Sequence, residues 1–131
     1  MNLALSLRLL AIFFWWYLVV FVLSILPLLG VPIVTWLTPE FRGDNYAWDF
    51  ELMFTAIFVV WGIFLWKAAG NLRENKSFIR FTIWATVAHI GAMLVIGTIR
   101  NEDLPHLLTD AIALSIPLLL VIFSYRQELR D

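Results

Sequence analysis

Four apolar blocks dominate the sequence, at about 9–29, 51–67, 80–99 and 106–125. Each is close to the roughly 20 residues that carry a helix across a bilayer core of about 30 Å. In hydrocarbon every backbone N–H and C=O must be satisfied internally, so blocks of this length fold as helices. Hydrophobic residues make up 62% of the chain, well above the share in soluble domains, and the excess is concentrated in these blocks. The connections between them are too short for a second domain. The expected architecture is all-α: one polytopic membrane domain over residues 1–131, a bundle of four transmembrane helices.

Local signals set the expected ends. The opening MNLALSLRLLAIFFWW has too long an apolar run for a signal peptide and no small-x-small site after it, so a retained first helix is expected. Arg8 is taken as its start, and Pro27, Gly30 and Pro32 as its end. Residues 31–50 mix apolar with polar side chains, which suits a segment at the membrane surface with Trp36, Tyr46 and Trp48 at headgroup level. Gly70-Asn71 ends the second helix, and Ser77 is the expected N-cap of the third. Asp103 and Pro105 suit the start of the fourth, and Pro117 predicts a kink within it. Trp66 suits the other interfacial belt, while Trp15, Trp16, Trp61 and Trp84 are expected to fill space between helices.

Net charge is −1, which gives no footprint for nucleic acid. The chain has no cysteine, which removes disulfides, thiolate metal sites, iron–sulfur clusters and cysteine nucleophiles. No other nucleophile has an evident base beside it, so a non-enzymatic protein is expected.

Within the apolar blocks the ionisable residues are few, and they are the candidates for function. Glu51 opens the second block. His106 and Asp110 open the fourth, in an Asp103, His106, Asp110 series at i, i+3 and i+7 that shares one helix face. An intramembrane carboxylate turns toward the bundle interior or a water-filled vestibule. Glu51, His106 and Asp110 are therefore expected to converge on an outward-facing polar pocket for an ion, a proton or a polar ligand head. The competing reading is that the aspartates only complement the helix dipole and Glu51 points separately into water.

His89 lies in mid-helix beside Ala85, Ala88, Gly91 and Ala92, a slim stretch that admits a close neighbour. It is expected to face the interior. It serves as a helix–helix hydrogen-bonding residue, with Thr55 or Ser115 as partner, as a ligand to a haem or chlorin, or in proton or ligand chemistry. A quinone held between helices is the further cofactor option. His106 lies roughly 15 Å from His89 in depth at 1.5 Å per residue, too far for a bis-histidine haem.

Residues 51–120 resemble a family of small four-helix bacterial integral-membrane proteins defined only by a domain of unknown function. The matching residues are Gly62-Ile-Phe-Leu, Phe81-Thr-Ile-Trp84 with His89 and Met93, and His106-Leu-Leu-Thr-Asp110 with Leu114. Such proteins carry a proline in the loop between the second and third helices; Gly70 to Lys76 contains none. The resemblance implies the four-helix fold and a multi-pass protein of the bacterial cytoplasmic membrane, and no activity. The readings open at this point are a ligand- or ion-binding bundle using Glu51, His89, His106 and Asp110, an accessory subunit or homo-oligomer in a membrane complex, and a redox or pigment protein using His89.

Orientation follows the basic residues in the short flanks. Arg8, Lys67, Arg73, Lys76, Arg80, Arg126 and Arg130 fall on one side; only Arg42 and Arg100 fall on the other. That bias predicts N-in and C-in. Single cysteines replacing Asn45, Asn75 and Glu102 test it by labelling in intact cells. Labelling at 45 and 102 but not at 75 is expected, and outside labelling at 75 overturns the orientation.

Overall fold

The computed structural model describes residues 2–26, 48–100 and 104–129. They form four helices: α1 (Leu3–Ile25), α2 (Trp48–Ala68), α3 (Lys76–Ile99) and α4 (Leu104–Glu128). Each contains a stretch long and apolar enough to cross a membrane. Of the expected surface segment at 31–50, residues 31–47 lie outside the described residues, as does the Asp103 cap, while residues 48–50 already belong to α2.

α1 begins a turn and a half earlier than Arg8 suggests. Asn2 caps it: its side-chain oxygen accepts from the Leu5 N–H at 2.8 Å. Arg8 is tolerated inside the helix because its long stem carries the guanidinium over the Trp66 ring, 5.3 Å from the centroid. α3 also starts before its expected cap. Asn75, not Ser77, stands at the N-cap and makes no side-chain capping bond. Asn71 organises the turn before it, receiving the Glu74 N–H on its side chain and the Asn75 side-chain amide on its backbone carbonyl. α4 runs on through Pro117.

α1 packs against both α2 and α4, and α3 packs against α4. The α2 and α3 backbones approach each other only slightly. The order around the bundle is thus α2, α1, α4, α3, with a gap between the last and the first. α1 supplies Leu3, Leu7, Leu10, Ala11 and Phe14 to the core, a stripe at helical spacing. Polar pairs tie its first turns to the end of α4. The Leu3 N–H donates to the Glu128 carboxylate at 2.7 Å, and the buried Ser6 and Ser124 hydroxyls lie 2.9 Å apart.

The α1–α2 contact is tighter still. The Trp15 indole N–H donates to the Val59 carbonyl at 3.2 Å, and its ring stacks on Trp66 at 5.5 Å between centroids. Gly62 lies directly beneath it. A Cβ there would stand 2.5 Å from the Trp15 Nε1 and 2.9 Å from Cδ1.

Two tryptophans do not fill the interior as expected. Trp16 is 57% exposed and Trp84 70% exposed. Outward indoles are costly in water but not in lipid, where the solvent is as apolar as the core. Trp15 and Trp61 do lie between helices. Ala88, Gly91 and Ala92, the slim part of α3, are exposed, and nothing lies within 4 Å of a Cβ built on Gly91.

Gly62→Ala is expected to lower the melting temperature in mild detergent, because Trp15 is fixed by a hydrogen bond and a stack and cannot simply swing away. The cost expected of overpacking is about 1–3 kcal/mol. Gly62→Ala combined with Trp15→Leu should recover part of it. An unchanged melting temperature in the single variant means that the α1–α2 contact is looser than described.

Candidate functional site

The gap between α2 and α3 holds the site. Thr86 and His89 stand at i and i+3 on α3, so both face the same way. Ala85, one residue before Thr86, leaves room in front of them. From α2, Phe54, Ile57, Phe58 and Trp61 form the opposite wall. Phe14 of α1 and Leu114 of α4 close the back. The space between them is about 320 Å³ and partly open, at the small end of ligand pockets.

Phe58 is the hub of the wall. Phe14 and Tyr17 both lie 4.9 Å from it between ring centroids, His89 at 5.8 Å and Phe54 at 6.4 Å. The His89 ring meets Phe58 nearly edge-on, at 77°, an arrangement that suits the quadrupole of an aromatic face. Side chains rather than backbones span the gap. The Trp61 indole N–H donates to the Thr82 hydroxyl at 3.0 Å, and the Trp61 ring stacks on Phe81 at 5.7 Å.

Thr86 stands apart from this order. It is only 2% exposed, and its hydroxyl oxygen is buried with no hydrogen-bond partner among the described residues. A buried hydroxyl left unpaired costs on the order of 1–3 kcal/mol. A threonine on a helix ordinarily avoids this by bonding back to the carbonyl four residues earlier, as Ser115 does to Ala111 at 2.6 Å.

The polar residues gather at one end of the cavity, the end at which α2 and α4 begin. Tyr17 is one turn beyond Phe14 on α1. Asp110 is one turn before Leu114 on α4, and His89 one turn beyond Thr86 on α3. The Asp110 carboxylate acts electrostatically on both Tyr17 and His89. Glu51 is half-buried one turn before Thr55 and two before Phe58, on the α2 face that turns inward. His106 belongs to the first turn of α4, and its side chain lies outside the described residues. Asp110 and His89 thus belong to helices that pack on each other and lie toward the same end of the cavity. Among the described residues no three histidine or acidic side chains form a group that could hold a metal.

Sequence reading passed over Tyr17 and Thr86. The first helix carries no charge past Arg8, which drew attention away from its one mid-helix phenol. The signal for Tyr17 was its place three residues after Phe14, on the stripe that α1 turns inward. For Thr86 there was only its spacing from His89, since an unpaired hydroxyl is invisible without coordinates.

Coupling between His89 and Asp110 is directly measurable. A double-mutant cycle with His89→Gln and Asp110→Asn, read by thermal unfolding in detergent, is expected to return an interaction of about 0.5–2 kcal/mol. Strictly additive effects would show that the two groups do not act on each other.

Neither a curated protein nor a solved structure matches the sequence. A family profile does, over residues 4–127, and so extends past the 51–120 region of the sequence resemblance to take in nearly all of α1, with Tyr17, all of α2 and α3, and all of α4 but its last residue. Four apolar helices and a profile that spans nearly all of the chain make it a member of the Family of unknown function (DUF6632).

Proposed function

We propose that the protein is a multi-pass protein of the bacterial cytoplasmic membrane, N-in and C-in, that binds a small amphiphile in the cavity between α2 and α3. His89 and Asp110 form the polar end of the site, with Tyr17 beside them and Glu51 and His106 toward the outer mouth. The observation that carries this reading is a space of about 320 Å³ between α2 and α3 that is lined by apolar side chains except for His89 and Thr86. Well-packed apolar residues would close such a space at lower cost.

Access is lateral. A second hollow runs along the outer side of the gap, lined by Ala56, Ile57, Val60, Trp61, Phe64, Phe78 and Phe81, and shares Ile57, Trp61 and Phe81 with the cavity. Ile57 is 54% and Phe81 60% exposed, so lipid reaches the hollow directly. A tetrapyrrole ligated by His89 has less support, since Phe54 and Phe58 lie against the imidazole where a macrocycle would stack.

Organic extraction of the purified protein followed by mass spectrometry tests the reading. A specific amphiphile is expected to copurify, and Ala85→Trp, which fills the cavity, is expected to abolish its retention while the protein still elutes as a folded species. The expected preparation has no Soret band. A Soret band lost in His89→Leu would replace the amphiphile with a haem, and identical lipid content in wild type and Ala85→Trp would remove the pocket.

A further inference from the structure

Two basic side chains come to the surface of the bundle at one depth, on the seam between α1 and α2. Arg8 lies a turn and a half inside α1, yet its guanidinium stands 5.3 Å over the ring of Trp66, two residues before the end of α2. α1 runs on past this level because the turn after α2 packs against its beginning: Ala69 and Leu72 join Leu3 and Leu7 in the core. Arg8 therefore lies near the depth at which α2 leaves the apolar layer, where headgroups and interfacial tryptophans are found. Lys67 follows Trp66 in sequence, about 100° further round the helix, and is exposed beside the seam with its ammonium 5.7 Å over Phe64.

The guanidinium is held in place rather than left to follow solvent. Trp66 supports one face of it, and Trp15 stacks on Trp66 at 5.5 Å. The five N–H donors lie in the guanidinium plane, so contact with a ring leaves them unused. Among the described residues Arg8 makes no hydrogen bond and no ion pair, and the Glu128 carboxylate at the same end of the bundle is engaged by the Leu3 N–H. Toward the middle of the membrane the surface beside the seam is apolar, with Ile12, Trp16 and Ile63 exposed.

A planar fork of donors matches two oxygens of a phosphate diester, and Lys67 adds a mobile point charge next to it. A choline or ethanolamine headgroup would bring its own cation against Lys67, whereas an uncharged alcohol headgroup would not. An acyl chain below the phosphate would lie against Ile12, Trp16 and Ile63.

We propose that the seam between α1 and α2 binds one anionic phospholipid, its phosphate on Arg8 beside the Trp66 indole, with Lys67 as the second cation and an acyl chain along Ile12, Trp16 and Ile63. Neither Arg8, Trp66 nor Lys67 lines the cavity or the hollow of the amphiphile pocket, so each site stands or falls without the other.

Titration of the full chain in mild detergent, read by native mass spectrometry, tests it with three probes: dioctanoyl phosphatidylglycerol, dioctanoyl phosphatidylcholine and glycerol phosphate. One phosphatidylglycerol is expected to bind saturably, at least fivefold more tightly than phosphatidylcholine. Arg8→Gln should weaken phosphatidylglycerol about fivefold, the worth of one basic residue at an anionic headgroup. Arg126→Gln removes an exposed cation on α4, away from the seam, and should leave the affinity unchanged. Lys67→Gln changes an exposed side chain that the core does not use, so it should fold even if Arg8→Gln does not, and it should weaken phosphatidylglycerol at least twofold. Equal binding of the two lipids, or an unchanged affinity in Lys67→Gln, overturns the site. A loss in Arg126→Gln as large as in Arg8→Gln overturns it in favour of diffuse surface charge. Glycerol phosphate binding as tightly as phosphatidylglycerol overturns it in favour of a free phosphate.

Discussion

The seat of the Trp15 indole over Gly62 decides the shape of the bundle. An indole can lie on a helix backbone only where there is no Cβ, and here the ring stands where one would be. The N–H bond to Val59 and the stack on Trp66 then fix the ring in place. α2 is drawn onto α1 along this line. α3 is committed to α4 on the far side. The space between α2 and α3 follows from those two commitments, and the large rings on α2, with Phe58 at their centre, span it where backbones do not.

Such a gap would collapse or fill with water in a soluble protein. In a membrane it is stable, because lipid chains and aromatic side chains are nearly equivalent neighbours and there is no hydrophobic force to close it. The same equivalence explains why Trp16 and Trp84 point outward. Within the gap only polar atoms set a preference. There are few of them, so the position of each one has weight. Trp61 and Thr82 satisfy each other. Thr86, four residues further along the same face, finds no partner among the described residues.

Much of the architecture was legible in the sequence. Block length and the absence of charge located four helices, since hydrocarbon leaves an apolar chain few alternatives. Prolines and Gly70-Asn71 marked the ends of α1 and α2 within a few residues. The start of α1 was misplaced because Arg8 reads as a boundary, whereas a flexible arginine two turns into a helix can lie across a tryptophan instead. Depth arguments singled out Glu51, His89, His106 and Asp110 as the ionisable groups of interest, and the side chain of His106 lies outside the described residues. Which helices are neighbours was not legible. Four helices joined by three connections allow several cyclic orders, and the choice depends on close contacts such as Trp15 on Gly62. Without that order, Tyr17 could not be placed near Asp110, nor Thr86 in a cavity wall.

The contacts between the first turns of α1 and the last turns of α4 bear on how the chain is assembled. The Leu3 N–H is satisfied by a carboxylate 125 residues later, and the Ser6 hydroxyl by one 118 residues later. Both partners lie on the helix that follows the other three in the chain. Until α4 arrives, α1 can rest on α2 through Trp15 and Gly62, but the polar groups of its first turns stay unmatched. The α1–α2 contact can therefore form before the α1–α4 contact that closes the bundle.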